Sequence, residues 1–241
     1  MPLRRISYEN RDFNISYEIR NPRAKKDFIL LHGWGSNKEL MQQSFAKCLE
    51  DYRHIYIDLP GFGNSSNDIF LNIQDYANII NLFLDDIVAK KECILGHSFG
   101  AKVATLLDPK YLILLASAGI LTKKPFHVRA KIALNKFLKP LGLHFIRNLF
   151  VANDGKNLPP NMYEIFKYTV NEDFSESFLA CKAKTLLLWG KEDSATPIES
   201  AYKIKELIED SQLVEFDGDH YFFMQNRVLT CKAISEFLKS V

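Results

Sequence analysis

The five residues Gly96-His97-Ser98-Phe99-Gly100 form a G-x-S-x-G pattern that directly follows the apolar run Cys93-Ile94-Leu95. This order is typical of a nucleophile elbow, in which a strand turns sharply into a helix and a serine hydroxyl is exposed at the carboxyl edge of a sheet. The flanking glycines let the two backbones approach each other. Because the pattern arises by chance in roughly one chain in ten of this length, the rest of the sequence decides its meaning.

Short apolar runs recur along the chain and predict a parallel sheet that is covered on both faces. They lie at residues 28–31, 55–57, 93–95, 111–116 and 185–189. Residues 6–8 and 15–19 alternate apolar and polar side chains, which favours an antiparallel hairpin. With a last strand near residues 213–216 and helical segments in between, the sequence predicts an α/β fold with a mostly parallel, eight-stranded sheet flanked by helices.

Capping residues predict where three of the helices begin. Ser36 has capping-box spacing to a glutamate and predicts a helix to about residue 50. Asn72 is expected to cap a second helix. Thr196 is expected to be the N-cap of a third, with Pro197 in the first helical position.

The alternation of strands and helices stops between residues 119 and 182. Helix-like segments take its place at residues 126–138, 141–150 and 160–170. We therefore predict a core made of residues 1–118 and 183–241, with residues 119–182 inserted as a helical cap.

Two further polar residues follow predicted strands, as Ser98 does. Asp193 comes just after the strand at 185–189, and His220 just after the last strand. A serine hydroxyl needs a base to take its proton, and an imidazole base needs an acceptor that holds its tautomer. Ser98, Asp193 and His220 are therefore candidates for a catalytic triad, with Glu192 as a competitor for the acid.

Five stretches of the chain resemble the signature motifs of the α/β-hydrolase superfamily: HGWG (32–35), DLPGFGNS (58–65), GHSFG (96–100), WGKED (189–193) and GDH (218–220). The first two are also similar to those of carboxylesterases such as the pimeloyl-carrier-protein methyl ester esterases of biotin synthesis. The resemblance implies that Ser98 is the nucleophile, His220 the general base and Asp193 the acid behind it. It also implies an oxyanion hole made of the backbone amides of Trp34 and Phe99. The chain departs from the pattern at residues 101–102, where many relatives continue with a second glycine.

The resemblance implies a serine hydrolase that cleaves a carboxylic ester through an acyl-enzyme on Ser98. The same triad serves thioesterases and carbon–carbon bond hydrolases, so both are alternatives. A hydrolase-like ligand-binding protein is the alternative outside the enzymes. Serine in this position argues against dehalogenases and epoxide hydrolases, which use a carboxylate nucleophile in related folds.

The predicted cap is strongly basic between residues 119 and 156, with eight basic residues and one acidic residue: Lys123, Lys124, Arg129, Lys131, Lys136, Lys139, Arg147 and Lys156 against Asp154. Apolar residues are interleaved with them, and Phe126, Phe137 and Phe145 are candidates to line a substrate pocket. Two interpretations are open. Either the cap packs on the core with a solubilising outer face, or its basic face binds an acyl carrier protein or an anionic lipid surface.

Other features exclude several classes of protein. A formal net charge of +2 argues against a nucleic-acid-binding protein. The four cysteines form no C-x-x-C pair, and Gly61-x-Gly63 lacks the third glycine of a dinucleotide loop, so neither a metal nor a cofactor is expected. With no signal peptide and no apolar run near the ~20 residues that span a bilayer, a cytoplasmic location is expected. His32, His97 and Asp58 are expected to hold loops.

Overall fold

A single sheet of eight strands organises the protein. The computed structural model describes residues 2–121 and 158–240. The strands are β1 (Leu3–Tyr8), β2 (Arg11–Arg20), β3 (Asp27–Leu31), β4 (Arg53–Ile57), β5 (Cys93–His97), β6 (Tyr111–Leu115), β7 (Lys184–Gly190) and β8 (Ser211–Phe216). Their spatial order is β1-β2-β4-β3-β5-β6-β7-β8. β2 pairs antiparallel with β1 and β4, and the other neighbours are parallel, which confirms the predicted fold class.

The central strands are covered on both faces. Every residue of β3, β5 and β6 is buried, as the continuous apolar runs predicted. In the register of the sheet, Leu31 lies opposite Gly96, and His97 lies opposite Leu115. The carboxyl ends of these strands are therefore level, and the loops that follow them meet at one edge.

From β3 onward, each strand within the described residues is followed in the chain by one or two helices. These helices are α1 (Lys38–Phe45), α2 (Ile73–Asp86), α3 (Phe99–Leu106), α4 (Pro160–Thr169), α5 (Ser175–Ala180), α6 (Ile198–Leu207), α7 (Phe222–Gln225) and α8 (Arg227–Ser240). None of these helices combines the length and apolar composition that crossing a bilayer requires.

Two of the predicted helix starts have different outcomes. Asn72 caps α2 in a full capping box, because its side chain accepts from the Asp75 amide and Asp75 returns a bond to the Asn72 amide. The prediction for α1 is wrong by one residue: Asn37, rather than Ser36, is the cap and accepts from Leu40 N. The helix also ends at Phe45 instead of near residue 50. The chain then turns, with Cys48 N donating to Phe45 O and a left-handed backbone at Leu49 (φ 49°).

The part of the predicted cap that the structure describes is attached to the core at both ends of α4, the third helix expected there. The Asn161 side chain donates to Asn67 O at 3.0 Å. At the other end, the buried Lys102 ammonium donates to Thr169 O at 3.2 Å and pairs with Glu172. Burial lowers the pKa of Lys102, and the pairing with Glu172 offsets this only in part. The other two predicted cap helices, at residues 126–138 and 141–150, lie outside the described residues. The domain boundaries after residues 118 and 182 stay predictions.

Candidate active site

Ser98 stands at the turn from β5 into α3 with a strained backbone. Its φ of 50° and ψ of −109° are values that a residue with a side chain rarely adopts. Main-chain hydrogen bonds hold it there: Ser98 N donates to Leu115 O at 2.9 Å, and Ser98 O accepts from Ala101 N and Ala118 N, both at 3.2 Å. The sharp turn that the G-x-S-x-G pattern predicted is therefore present, and β6 and its following loop support it.

The two flanking glycines are required by close main-chain packing. A Cβ on Gly100 would lie 2.4 Å from His32 O, and a Cβ on Gly96 would lie 2.4 Å from Gly100 O. Neither oxygen can rotate away, because both belong to the backbone. The start of α3 is thus pressed against the end of β3, which brings the loop after β3 beside Ser98.

His32 ties the loop after β3 to the loop after β4. Its Nδ1 donates to Gly33 O at 2.7 Å, and its Nε2 accepts from Leu59 N at 3.0 Å. Burial lowers the pKa of this imidazole, so it stays neutral and can serve as both donor and acceptor. The expected role of His32 as a loop-holding residue is confirmed.

Asp58 is buried and joins the start of α1 to the loop after β4. Its carboxylate accepts from the Lys38 amide at 2.8 Å, from the Lys38 ammonium at 2.7 Å and from Asn64 N at 3.0 Å. Burial by itself would raise the pKa of this carboxyl group, but the bonds from Asn64 and Lys38 outweigh it and hold the pKa below its usual value. Asp58 therefore holds the loops in place, as expected.

The two residues expected to form the oxyanion hole are neighbours. The rings of Trp34 and Phe99 meet edge to face at 5.3 Å, and Trp34 also contacts Phe62 and Phe166 of α4. Phe99 is the first residue of α3, and amides in the first turn of a helix have no acceptor within that helix. The positive end of the helix dipole adds to a field that favours negative charge at this point.

Asp193 is buried and faces His220. Its Oδ2 accepts from His220 Nδ1 at 2.7 Å, and its Oδ1 accepts from Ala195 N at 2.8 Å and Thr196 N at 2.9 Å. Glu192, the competitor in sequence, points elsewhere and accepts from Gly218 N. The structure thus brings Asp193, and not Glu192, to the imidazole.

His97 connects the elbow to His220. The His97 Nε2 lies 3.2 Å from His220 O, and the two rings are 4.7 Å apart between centroids. Burial, together with the charge of His220, holds the pKa of His97 well below its usual value. His97 is therefore neutral, donates through Nε2, and places His220 beside the residue that precedes Ser98.

The sequence profile of the alpha/beta hydrolase family matches residues 28–230, which is most of the chain. The chain belongs to the alpha/beta hydrolase family. Membership confirms the resemblance seen in the five motifs.

Relatives of this hydrolase include pimeloyl-[acyl-carrier protein] methyl ester esterases. The protein of that name from Vibrio campbellii is 24% identical, with 88% of this chain and 94% of the relative covered. The one from Pseudoalteromonas atlantica is 31% identical, with 77% of this chain and 60% of the relative covered. Among solved structures, an esterase from Exiguobacterium antarcticum shares the fold, with a TM-score of 0.75, 22% identity and 98% of each chain covered.

Thr196 has a role in this hydrolase that the sequence did not indicate. The expectation that it caps α6 is wrong: α6 begins at Ile198 without a side-chain cap. The hydroxyl instead donates toward Asp193 Oδ2, at 2.8 Å. A buried carboxylate is a stronger acceptor than a neutral group, so the acid competes successfully for this donor. The only signal in the sequence was a hydroxyl residue three positions after the candidate acid.

The three residues expected to line a substrate pocket, Phe126, Phe137 and Phe145, lie outside the described residues. So do the eight basic residues of the predicted cap. Within the ranges 2–121 and 158–240, no group of three or more His, Cys, Asp and Glu side chains is arranged to hold a metal ion.

Proposed function

We propose that this chain is a serine esterase that forms an acyl-enzyme on Ser98, with His220 as the base and Asp193 as the acid behind it. The observation that carries the proposal is the 2.7 Å contact between Asp193 Oδ2 and His220 Nδ1. The His220 ring also lies 4.7 Å from that of His97, the residue before Ser98 at the strained elbow. A buried carboxylate on Nδ1 selects one tautomer of the imidazole. That tautomer leaves the Nε2 lone pair available to take a proton.

In the first half of the reaction, Nε2 of His220 takes the proton of the Ser98 hydroxyl as Oγ attacks the carbonyl carbon of the ester. The carbonyl oxygen becomes an oxyanion, and the amides of Trp34 and Phe99 donate to it. The tetrahedral intermediate then collapses. The bond to the leaving alcohol breaks, the alcohol takes the proton from His220, and the acyl group stays on Ser98.

In the second half, water attacks the acyl-enzyme and His220 takes one of its protons. Collapse of the second intermediate releases the carboxylic acid and returns the proton to Ser98. Asp193 stays ionised throughout and stabilises the imidazolium form of His220. No cofactor is needed to balance these steps.

For the substrate, we propose an acyl ester, with an ester on an acyl carrier protein as the specific case. The names of the relatives from Vibrio campbellii and Pseudoalteromonas atlantica support it. The eight basic residues against one acidic residue between 119 and 156 also support it, because carrier proteins are acidic partners. Phe126, Phe137 and Phe145 are proposed to contact the acyl chain.

A fluorophosphonate probe tests the proposed nucleophile, because it labels only an activated serine. The wild-type protein is expected to be labelled and Ser98→Ala to be unlabelled. Ser240→Ala, at the exposed end of α8, serves as the matched control and is expected to be labelled as fast as the wild type. A folded wild-type protein that resists the probe would contradict the esterase proposal and favour a ligand-binding protein.

Kinetics on matched substrates test the carrier-protein proposal. Reversing the charge of Lys123, Lys124, Arg129 and Lys131 together is expected to raise KM for carrier-protein esters and to leave small aryl esters unaffected. An equal effect on both substrates would contradict docking. In the same experiment, the wild-type protein is assayed on aryl esters and thioesters of increasing chain length. The rates show whether an ester or a thioester bond is preferred.

A further inference from the structure

The hydroxyl of Thr196 lies where three polar groups of the site meet. Its Oγ1 is 2.8 Å from Asp193 Oδ2, 3.1 Å from Ala116 O and 3.3 Å from His220 Nδ1. The turn around it is also held, because the Trp189 indole donates to Thr196 O at 2.7 Å. The hydroxyl is therefore held in place by the surrounding structure and does not rotate freely in solvent.

The single hydroxyl proton has two acceptors to choose between, the carboxylate of Asp193 and the carbonyl of Ala116. The carboxylate is both closer and charged, so it is the favoured acceptor. The proton then goes to Oδ2, the same oxygen that accepts from His220 Nδ1. In this state the lone pairs of Oγ1 are left to face the ring nitrogen of His220.

We propose that Thr196 is a positioning residue of the triad, whose hydroxyl fixes the Asp193 carboxylate in the plane in which Oδ2 faces His220. The two backbone amides on Oδ1 cannot do this alone, because a carboxylate held at one oxygen can still swing its other oxygen about that point. With the hydroxyl on Oδ2, both oxygens are fixed. The tautomer and orientation of His220 then follow from the 2.7 Å contact.

This inference rests on the proposed esterase, and two variants test it. Thr196→Val keeps the branched shape of the side chain but removes the hydroxyl, while Thr196→Ser keeps the hydroxyl and removes the methyl group. A hydrogen bond to a charged group contributes about 1.5–3 kcal/mol, which corresponds to a loss of rate of about 10- to 150-fold. We expect Thr196→Val to lose kcat by about this factor with KM changed less than about twofold, since orientation and not substrate binding is affected. Thr196→Ser is expected to restore kcat to within about threefold of the wild type.

Thr230→Val is the matched control, because Thr230 is buried in α8 and its hydroxyl has no hydrogen-bond partner in the described structure. It is expected to leave both kcat and KM unchanged. If Thr196→Val does not fold, Thr196→Ala takes its place. Unchanged kcat in a hydroxyl-free variant, or a loss that Thr196→Ser fails to restore, overturns the proposal.

Proton NMR separates this inference from the proposed reaction. The His220 Nδ1 proton, shared with a buried carboxylate, is expected to give a low-field resonance in wild type and Thr196→Ser that shifts or broadens in Thr196→Val. This readout needs no turnover. A protein that resists the fluorophosphonate probe but shows this pattern contradicts the esterase and supports the positioning role. The same resonance in all variants contradicts the positioning role, whatever the activity.

Discussion

Ser98 and Asp193 lie at the same edge of the sheet, after β5 and β7, but different forces hold them. On the elbow side, main-chain atoms pack so closely that glycine is required at residues 96 and 100. On the acid side, four donors surround the carboxylate: two amides, a hydroxyl and an imidazole. The elbow is therefore sensitive to one added carbon atom. The acid side is sensitive to the loss of a charge or a donor, even where the shape is kept.

The largest effect is expected from removing the charge on the acid side. In Asp193→Asn, the amide keeps the shape of the carboxylate but can offer an N–H where His220 Nδ1 needs an acceptor, which favours the wrong tautomer. A loss of kcat of about 10⁴-fold is expected, equivalent to about 5 kcal/mol in the transition state. Ester hydrolysis measures the rate, and chemical denaturation shows whether the fold is kept.

Glu192→Gln is the matched control for the charge, because Glu192 is the neighbouring carboxylate but bonds Gly218 N and not His220. Its activity is expected to stay within about threefold of the wild type, since an amide oxygen can accept the same bond. If both variants lost activity equally, the acid would not be confined to Asp193, and the contrast between the two sides would fail.

A smaller but still large effect is expected from one methyl group on the elbow side. In Gly100→Ala, the new Cβ would approach His32 O to 2.4 Å and Leu31 O to 2.8 Å, so β3 and α3 have to separate. Overpacking against backbone that cannot rotate is expected to lower the free energy of unfolding by about 3 kcal/mol. Urea denaturation measures the loss.

Gly35→Ala is the control for backbone strain without crowding. Gly35 has a positive φ, of 68°, which Gly100 in α3 does not, and no atom lies within 4 Å of the added Cβ. The cost is expected to be about 1 kcal/mol from the left-handed backbone alone. Equal losses in the two variants would show that the close contact at Gly100 costs no more than a strained backbone, and would contradict close packing as the force that holds the elbow.

The smallest effect is expected in the pH dependence of stability. It comes from His97, which precedes Ser98 on the elbow side and contacts His220 on the acid side. The pKa of His97 is well below its usual value because the ring is buried. Below about pH 6.5 the unfolded chain binds a proton that the folded protein does not. The free energy of unfolding therefore decreases as the pH is lowered, by up to about 1.4 kcal/mol per pH unit. In His97→Phe this contribution is absent.

Denaturation between pH 5 and 7.5 measures the difference as a slope. The free energy of unfolding of His97→Phe is expected to change less steeply with pH than that of the wild type. The difference corresponds to the uptake of at most one proton on unfolding. Part of the slope is expected to remain, because burial also lowers the pKa of His32 and His54. Identical slopes would mean that His97 accepts a proton in the folded protein as readily as in the unfolded chain.

Features that depend on neighbours in sequence were predicted well. The cap at Asn72 needs only the residues that follow it, and the buried runs of β3, β5 and β6 need only continuous apolar side chains. The prediction of Ser36 as the cap of α1 was wrong by one residue, because Ser36 is used in the turn after β3, where its amide donates to Gly33 O. Ser36 and Asn37 are both good caps by residue type, and the loop decides between them.

The amino-acid sequence by itself determined the order of strands and helices, and the loops that carry Ser98, Asp193 and His220. Apolar periodicity and motif spacing are local, so they can be read without the fold. Only the tertiary structure decided that Asp193 and not Glu192 faces His220, and that Thr196 serves the carboxylate and not a helix. The reason is that a hydrogen bond depends on distances of a few tenths of an ångström. Those distances are set by packing between residues such as Ala116 and Thr196, which lie 80 positions apart in the chain.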